Sequence, residues 1–152
     1  MMTTDQYFND DNDKDEYILL GVNIQSTASQ LMLFTSSVLK PYKLTFQQYN
    51  VLIILRGASP NGISIKSICD KMIDRTSNCS RLVDKLVHKG WAIRNESDKD
   101  KRIVNVIITD AGLLVMNEAI IDLEIKFIER MKAIDHQEAK MLNSILEKLK
   151  IQ

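Results

Sequence analysis

Residues 74–90, DRTSNCSRLVDKLVHKG, have the pattern of a helix with one apolar and one polar face. The apolar face is formed by four residues at the i, i+3, i+4, i+7 spacing of an α-helix: Cys79, Leu82, Val83 and Leu86. The other positions carry hydroxyl, amide and basic side chains, and Gly90 follows where helices commonly end. Asn and Arg side chains can contact a base edge through two hydrogen bonds, while Ser and Lys hold phosphates. Taken alone, the pattern fits a DNA-reading helix and also a solvated surface helix.

The segment upstream of residues 74–90 favours the DNA-reading interpretation. Ser64 is placed to cap a short third helix whose apolar residues again have helical spacing: Ile65, Ile68, Cys69 and Met72. A tight turn then leads to a fourth helix, which we expect to begin near residues 74–76. Two short helices joined in this way, the second with a polar leading edge, are typical of a helix-turn-helix.

A β-hairpin is predicted directly downstream. Residues 91–94 and 102–108 alternate apolar and polar side chains, and the second run places three apolar residues on one face: Val104, Val106 and Ile108. The tip between the strands, residues 97–102, has alternating charge. Behind a helix-turn-helix such a hairpin is a wing, and its basic tip is long enough for an Arg side chain to enter a DNA minor groove.

The rest of the chain is predicted to be helical. A long first helix is expected over residues 17–39 and ends before Pro41. Capping-box sequences mark the starts of the second and sixth helices, at Thr45 and Asp135, and a fifth helix is expected over residues 109–131. The predicted fold class is therefore mainly α, an α+β winged helix, with six helices and a β-hairpin wing between the fourth and fifth.

Length and composition indicate a single soluble domain. The chain has 152 residues, of which 45% are hydrophobic and 26% charged, so it can bury a core. Residues 17–39 carry no charge but contain nine Asn, Gln, Ser and Thr side chains, too many for the hydrocarbon of a membrane. We therefore reject a membrane span and expect a cytoplasmic protein.

The formal net charge is zero, but the charges are unevenly distributed. Residues 1–16 carry six acidic side chains and one basic side chain, which is typical of a flexible acidic arm. Residues 64–102, which contain the predicted helix-turn-helix and wing, carry ten basic and six acidic side chains. Because charges are screened beyond about 8 Å at physiological salt, this local excess is what a phosphate backbone would meet.

The wing resembles that of the MarR family of winged helix-turn-helix regulators, whose pattern is Asp-x-Arg followed by Val-x-Leu-Thr-x-x-Gly. The matching residues are Arg94, Asp100, Lys101, Arg102, Val106, Ile108, Thr109 and Gly112. Ile108 stands where Leu is commoner. Residues 78–90 are similar to the recognition helix of that family, with Cys79 where an apolar β-branched residue is usual. The resemblance covers residues 17–150, nearly the whole chain.

The resemblance implies a homodimeric DNA-binding transcriptional regulator, and we interpret it as a repressor. In the family the first, fifth and sixth helices form the dimer, the recognition helices enter successive major grooves of a palindromic operator in double-stranded DNA, and the wings reach the minor grooves. The predicted helix lengths also favour a dimer. The first and fifth helices would be about 33–36 Å long, so one small domain could not cover their apolar faces. We divide the chain into an arm (1–16), dimerisation helices (17–43 and 110–152) and a DNA-binding domain (44–109).

The DNA contacts are expected on the fourth helix, its leading turn and the wing. Base contacts are assigned to Ser77, Asn78, Ser80 and Arg81, with Arg102 in the minor groove. Phosphate contacts are assigned to Arg75, Lys85, Lys99 and Lys101, and Thr76 belongs to the same leading turn. A second expectation concerns Asp100, which is placed to pair with Arg94 or Arg102 and stiffen the wing.

A small amphipathic or phenolic ligand is a further partner that the resemblance implies, because family members often bind such anions between the dimer helices and the winged domain. The candidate residues are Tyr42, Phe46, Tyr49, Arg56 and Trp91. Plain core packing explains each of them as well. A ligand that favours a half-site spacing unsuited to DNA would release the operator.

The sequence gives little support for a redox, metal or catalytic site. Cys69 and Cys79 lie on apolar stripes, where Cys behaves as a small hydrophobe; the alternative is a thiol-based redox sensor that uses either residue. His88 and His136 are too dispersed to form a metal site with these cysteines. No catalytic set has a convincing context, so we expect no cofactor and no enzyme.

A different class of function stays open at this point. A winged helix can bind a protein rather than DNA, although the local positive charge and the Arg-bearing wing count against it. Salt separates the two classes, because DNA affinity falls by about 0.9 log unit per phosphate contact for each tenfold rise in salt.

Overall fold

The computed structural model describes residues 13–73, 78–96 and 104–150. Within these ranges the chain forms six α-helices and three β-strands. The helices are α1 Asp13–Leu39, α2 Phe46–Gly57, α3 Ile65–Lys71, α4 Cys79–His88, α5 Asp110–Met131 and α6 His136–Leu149, and a 3-10 turn, Lys40–Tyr42, follows α1. The strands are β1 Ile63–Ser64, β2 Ala92–Glu96 and β3 Val104–Ile108. The predicted mainly helical class, with a hairpin between the fourth and fifth helices, is confirmed.

The strands form one antiparallel sheet in the order β1-β3-β2. Val106, at the centre of β3, pairs with Ile63 on one side and Arg94 on the other. Strand β1 was not predicted, because two residues are too short to show an alternating pattern. It leads directly into α3, where the Ser64 hydroxyl accepts a hydrogen bond from Ser67 N at 3.2 Å, the cap that the sequence predicted.

Both predicted capping boxes are present. The Thr45 hydroxyl accepts from Gln48 N at 3.2 Å, and Gln48 Oε1 accepts from Thr45 N at 3.3 Å. At α6, Asp135 Oδ1 accepts from Glu138 N at 2.9 Å, and Glu138 Oε2 accepts from Asp135 N at 2.8 Å. These short-range exchanges fix where α2 and α6 begin.

Two helix boundaries differ from the prediction. Helix α1 begins at Asp13 and not at residue 17, so the last residues of the expected acidic arm are helical. Acidic side chains such as Asp15 and Glu16 favour a first turn because they face the positive end of the helix dipole. Helix α4 begins at Cys79 and not near residues 74–76, because Asn78 takes the capping position.

Most of the hydrophobic core is formed by residues between α2 and β3. Its fully buried side chains include Leu52 and Leu55 of α2, Val83 and Leu86 of α4, and Val106 of β3. Helix α5 adds Met116, Ala119 and Leu123, whereas α1 adds only the last part of its length. The core therefore holds α4 and the sheet firmly, while most of the long helices lies outside it.

Large apolar side chains are exposed along α1, α5 and α6, and we call these the exposed apolar faces. They comprise Tyr17, Ile18, Leu20, Val22, Met32 and Leu33 on α1, Leu114, Ile121, Ile125 and Ile128 on α5, and Met141, Leu142, Ile145 and Leu149 on α6. Helix α6 buries none of its residues against the described part of the chain. None of the described helices combines the length and hydropathy needed to cross a membrane.

The start of α5 packs tightly against the end of α4. The Thr109 hydroxyl donates to Gly90 O at 2.7 Å and accepts from Gly112 N at 3.1 Å, while Thr109 N donates to Trp91 O at 3.1 Å. A Cβ on Gly112 would lie only 3.0 Å from the carbonyl carbon of Trp91 and 3.0 Å from Ile108 Cγ1. The Thr-x-x-Gly sequence of the wing thus joins the hairpin to the long helix.

Candidate nucleic-acid interface

Helix α4 presents one face to the core and the other to solvent. Cys79, Val83 and Leu86 are buried in the core cluster. The exposed residues on the opposite side are Ser80, Arg81, Asp84, Lys85 and His88. Three of the predicted DNA contacts, Ser80, Arg81 and Lys85, therefore lie on the accessible face of this helix.

Asn78 has a structural role in addition to the predicted contact with a base. Its Oδ1 accepts a hydrogen bond from Arg81 N at 3.1 Å and caps α4. Removing such a cap typically costs about 1 kcal/mol. The oxygen is thereby used within the helix, and the amide nitrogen of this exposed side chain is left for a base or a phosphate.

A shallow groove of about 320 Å³ runs between the start of α2 and α4. It is lined by Gln47, Asn78, Arg81, Leu82 and Lys85. The sequence reasoning did not select Gln47, although its place in the first turn after the Thr45 cap was a usable signal. Gln47 lies at the N-terminal end of α2. Its amide side chain extends the polar surface that α4 presents in the groove.

The first strand of the wing is tied to α4. Arg94 Nη2 of β2 donates to Asp84 Oδ1 at 2.6 Å. Because both side chains are well exposed, this ion pair contributes about 0–1 kcal/mol. The pairing that we expected for Arg94 involved Asp100, which lies outside the described residues.

The wing tip and the leading turn of α4 also lie outside the described residues. This applies to six of the predicted DNA contacts: Arg75, Thr76, Ser77, Lys99, Lys101 and Arg102. Their roles stay predictions. The strands on both sides of the tip are paired in register, with Asn95 opposite Asn105.

Lys89 connects the end of α4 to the turn between α1 and α2. Its Nζ donates to Lys43 O at 2.6 Å and to Gln48 Oε1 at 3.1 Å, and it lies 4.5 Å from the centroid of the Trp91 ring. Burial, with the nearby charges of Lys85 and Lys43, lowers the pKa of Lys89 below its usual 10.5. Both lysines are exposed, but the ammonium group of Lys89 is engaged by contacts within the protein.

An aromatic crevice of about 390 Å³ lies between α2 and the two long helices α1 and α5. It is lined by Thr35, Phe46, Tyr49, Leu123, Glu124, Phe127 and Ile128. Two of the predicted ligand residues, Phe46 and Tyr49, are thus brought together. Burial is the main cause that raises the pKa of Tyr49 above 10.0, so its hydroxyl is protonated at neutral pH.

The other three predicted ligand residues are not among those that line this crevice. Partial desolvation, followed by the nearby carboxylate of Asp122 on α5, raises the pKa of Tyr42. Arg56 is exposed in the last turn of α2. Trp91 packs under Lys89 and against the start of α5, which agrees with its alternative interpretation as part of the core.

Cys69 and Cys79 are joined by a disulfide, whereas we expected two separate small hydrophobes. Their Cα atoms are 5.8 Å apart, within the usual range for such a bond. A spacing of ten residues is no known motif, and only the packing of α3 against α4 brings the two thiols together. In the described ranges no group of three potential metal ligands occurs.

Comparison with known proteins identifies the family. The family model of the transcriptional regulators SarA/Rot matches residues 33–119, more than half of the chain. The regulator PecS of Dickeya dadantii is 28% identical over 117 residues, which cover 76% of this chain and 70% of PecS. The transcriptional repressor MprA of Escherichia coli is 25% identical over 103 residues, which cover 68% of this chain and 58% of MprA.

The fold matches as well. The Escherichia coli MarR C80S mutant, in its crystal structure complexed with operator DNA, has a TM-score of 0.79 and 24% identity, covering 93% of this chain and all of MarR. These relatives are transcriptional regulators and not enzymes, as the sequence led us to expect. The chain therefore belongs to the SarA/Rot family of transcriptional regulators, within the MarR type of winged helix-turn-helix proteins.

Proposed function

We propose that the protein acts in the cytoplasm as a homodimeric repressor, which binds a palindromic operator and is released by a small amphipathic ligand. The observation that carries this proposal is the presence of two separate exposed surfaces of different chemistry. One is the accessible polar face of α4, and the other is the set of exposed apolar faces on α1, α5 and α6.

Dimerisation is supported by the apolar surface that the described chain leaves uncovered. Four large apolar side chains of α6, including Met141 at 68% exposure, lack a covering partner within the described residues. Contiguous apolar surface on several helices marks an association site. A second copy of the same chain is the simplest partner, and residues 17–43 and 110–152 would form the interface.

DNA binding is supported by the chemistry of the accessible α4 face. Arg81 and Lys85 are exposed, and so is Ser80 in the first turn of α4. The surrounding segment 64–102 has a local charge of +4, from ten basic and six acidic side chains. A two-fold dimer would set two such helices about one DNA turn, or ~34–36 Å, apart, and residues 44–109 would form the reading domain.

Ligand release is supported by the position of the aromatic crevice. Its walls come from α2 of the winged domain and from α1 and α5, the helices proposed to dimerise. A molecule that enters between Phe46 and Phe127 would change the angle between the two parts. The spacing of the two α4 helices would then no longer match the operator, which is a population shift toward a state that does not bind DNA.

The test begins with selection of bound fragments from random DNA, where a palindrome is expected. Binding of the selected site is then titrated at several salt concentrations. Lys85→Ala should reduce the salt slope by about 0.9 per lost phosphate contact, and a dimer loses that contact twice. Arg102→Ala should also weaken binding more than the control Lys148→Ala, which changes a charge on distant α6.

Two results would contradict the proposal. Equal losses for Lys85→Ala and Lys148→Ala would remove α4 from the interface. Binding that is insensitive to salt would favour the alternative class, a winged helix that binds protein.

A further inference from the structure

The aromatic crevice between α1, α2 and α5 has one charged side chain in its wall, and that charge is negative. The charged residue is Glu124 of α5. No Lys, Arg or His belongs to the lining, as far as the described part of the chain forms it. An anion in the crevice would lie next to this carboxylate, and two like charges at close range repel each other. The anionic ligand that the resemblance implies therefore does not fit the charge of the site.

The carboxylate of Glu124 acts on the wall of the crevice as well as on the solvent. Burial is the main cause that raises the pKa of Tyr49; the charge of Arg56 lowers this pKa, and the charge of Glu124 raises it. The electrostatic effect of Glu124 thus reaches the Tyr49 phenol. Within the described residues Glu124 takes part in no ion pair. Its negative charge is therefore available to a ligand.

The aromatic side chains of the crevice favour the same sign of ligand charge. Phe46, Tyr49 and Phe127 are all partly buried in its wall. The faces of aromatic rings carry partial negative charge, so they attract ammonium and guanidinium groups. The neighbouring ring of Phe34 already shows this contact, because the guanidinium of Arg130 lies 4.9 Å from its centroid. The Phe34 ring is 6.0 Å from that of Phe127, between centroids.

Three basic side chains near the crevice could work against a cation. Lys126 Nζ is paired with Asp122 Oδ2 at 2.9 Å, and Arg130 is placed on the Phe34 ring. Arg56 is exposed in the last turn of α2, and its charge also reaches Tyr49. Arg56 is thus the residue that would favour an anion, and its substitution belongs in the test.

We propose that the crevice binds a lipophilic organic cation, an aromatic ammonium compound, with Glu124 as its counter-ion and with the three wall rings around its apolar part. This inference rests on the proposed function, in which the crevice is the ligand site. Its volume of about 390 Å³ is that of a small-molecule site, for which about 300–1,000 Å³ is usual. Glu124 selects the sign of the ligand charge, and the rings select its aromatic character.

The first measurement compares three probes of one shape and different charge by isothermal titration calorimetry. The probes are naphthylmethyltrimethylammonium, the neutral naphthylacetamide and the anionic naphthylacetate, titrated into the full-length protein without DNA. The ammonium compound should bind most tightly and the carboxylate most weakly, with about tenfold or more between them. Binding of naphthylacetate as tight as that of the cation would overturn the inference, and so would the absence of binding by all three probes.

The second measurement assigns the preference to Glu124. Glu124→Gln keeps the size of this exposed side chain and should weaken binding of the ammonium probe by about three- to tenfold, with the affinity for naphthylacetamide unchanged. The matched control is Glu129→Gln, an exposed carboxylate of α5 outside the lining, which should change neither affinity. Circular dichroism confirms that each variant is folded. Equal effects of the two variants would overturn the role of Glu124.

Substitution of Arg56 tests the opposite assignment. Arg56→Gln removes a nearby positive charge, so binding of the ammonium probe should stay the same or become tighter. If Arg56→Gln instead abolishes binding of naphthylacetate, and Glu124→Gln leaves the ammonium probe unaffected, the crevice is an anion site and the inference is wrong.

Operator release separates this inference from the proposed function. If no DNA is bound, the proposed function fails, while calorimetry still decides the charge preference. If the ammonium probe binds with the predicted preference but leaves the DNA complex intact in fluorescence anisotropy, the release step of the proposed function fails and the charge preference stands. If naphthylacetate releases the operator and the ammonium probe does not, the proposed function stands and this inference is overturned.

Discussion

The double substitution Leu142→Glu/Ile145→Glu on α6 is expected to dissociate the proposed dimer. In the described chain Leu142 is 48% exposed and Ile145 is 41% exposed. A partner subunit could therefore bury apolar surface equal to nearly one whole Leu or Ile side chain at these two positions. At about 1.5–3 kcal/mol for burial of a Leu or Ile side chain, their loss removes about 2 kcal/mol per protomer. In a two-fold dimer the loss occurs twice, about 4 kcal/mol, which corresponds to about a thousandfold weaker association.

Sedimentation equilibrium over a wide concentration range measures this change directly. The matched control is Lys140→Glu, which places the same carboxylate on α6 but on the side opposite Leu142 and Ile145. Because α6 buries none of its residues in the described chain, both variants should keep the helical circular dichroism of the wild type. An unchanged dissociation constant for the double variant, or an equal change for Lys140→Glu, would refute the argument. Weaker operator binding at low protein concentration should accompany the dissociation.

Two further predictions concern stability. Gly112→Ala should lower the free energy of unfolding by about 1–3 kcal/mol, because the new Cβ would press on the Trp91 carbonyl and Ile108; Gly57→Ala, where nothing lies within 4 Å, is the control in chemical denaturation. Between pH 10 and the raised pKa of Tyr49, the unfolded chain ionises this tyrosine while the folded chain keeps it protonated, so stability should fall as pH rises past 10.0. Tyr49→Phe should flatten that part of the pH–stability curve, and an unchanged slope would show that burial of Tyr49 does not cause it.

The helical framework could be predicted from the sequence because its signals are local. The capping boxes at Thr45 and Asp135 involve residues three positions apart, and both occur as expected. The wing strands were also predictable, since Val106 and Ile108 alternate with polar neighbours and are buried. Boundaries were less certain, as the late start of α4 at Cys79 shows.

The features that the sequence did not reveal depend on contacts between distant segments. Lys89 looked like one more basic residue of α4, yet its partner Lys43 is 46 positions away. The two cysteines come together only because α3 packs against α4. Strand β1 is a strand only because it pairs with β3, the central strand of the sheet. For the same reason only Phe46 and Tyr49, which lie one helical turn apart on α2, could be grouped correctly in the crevice.

The contacts of Lys89 have a mechanical consequence for the way α2 and α4 are coupled. One ammonium group holds the carbonyl of Lys43, before α2, and the side chain of Gln48, which closes the capping box of α2. This contact ties the start of α2 to the end of α4 in addition to the core packing between the two helices, so a change in the tilt of one helix would be passed to the other. The group that makes this contact is the ammonium of Lys89, whose pKa is lowered mainly by desolvation.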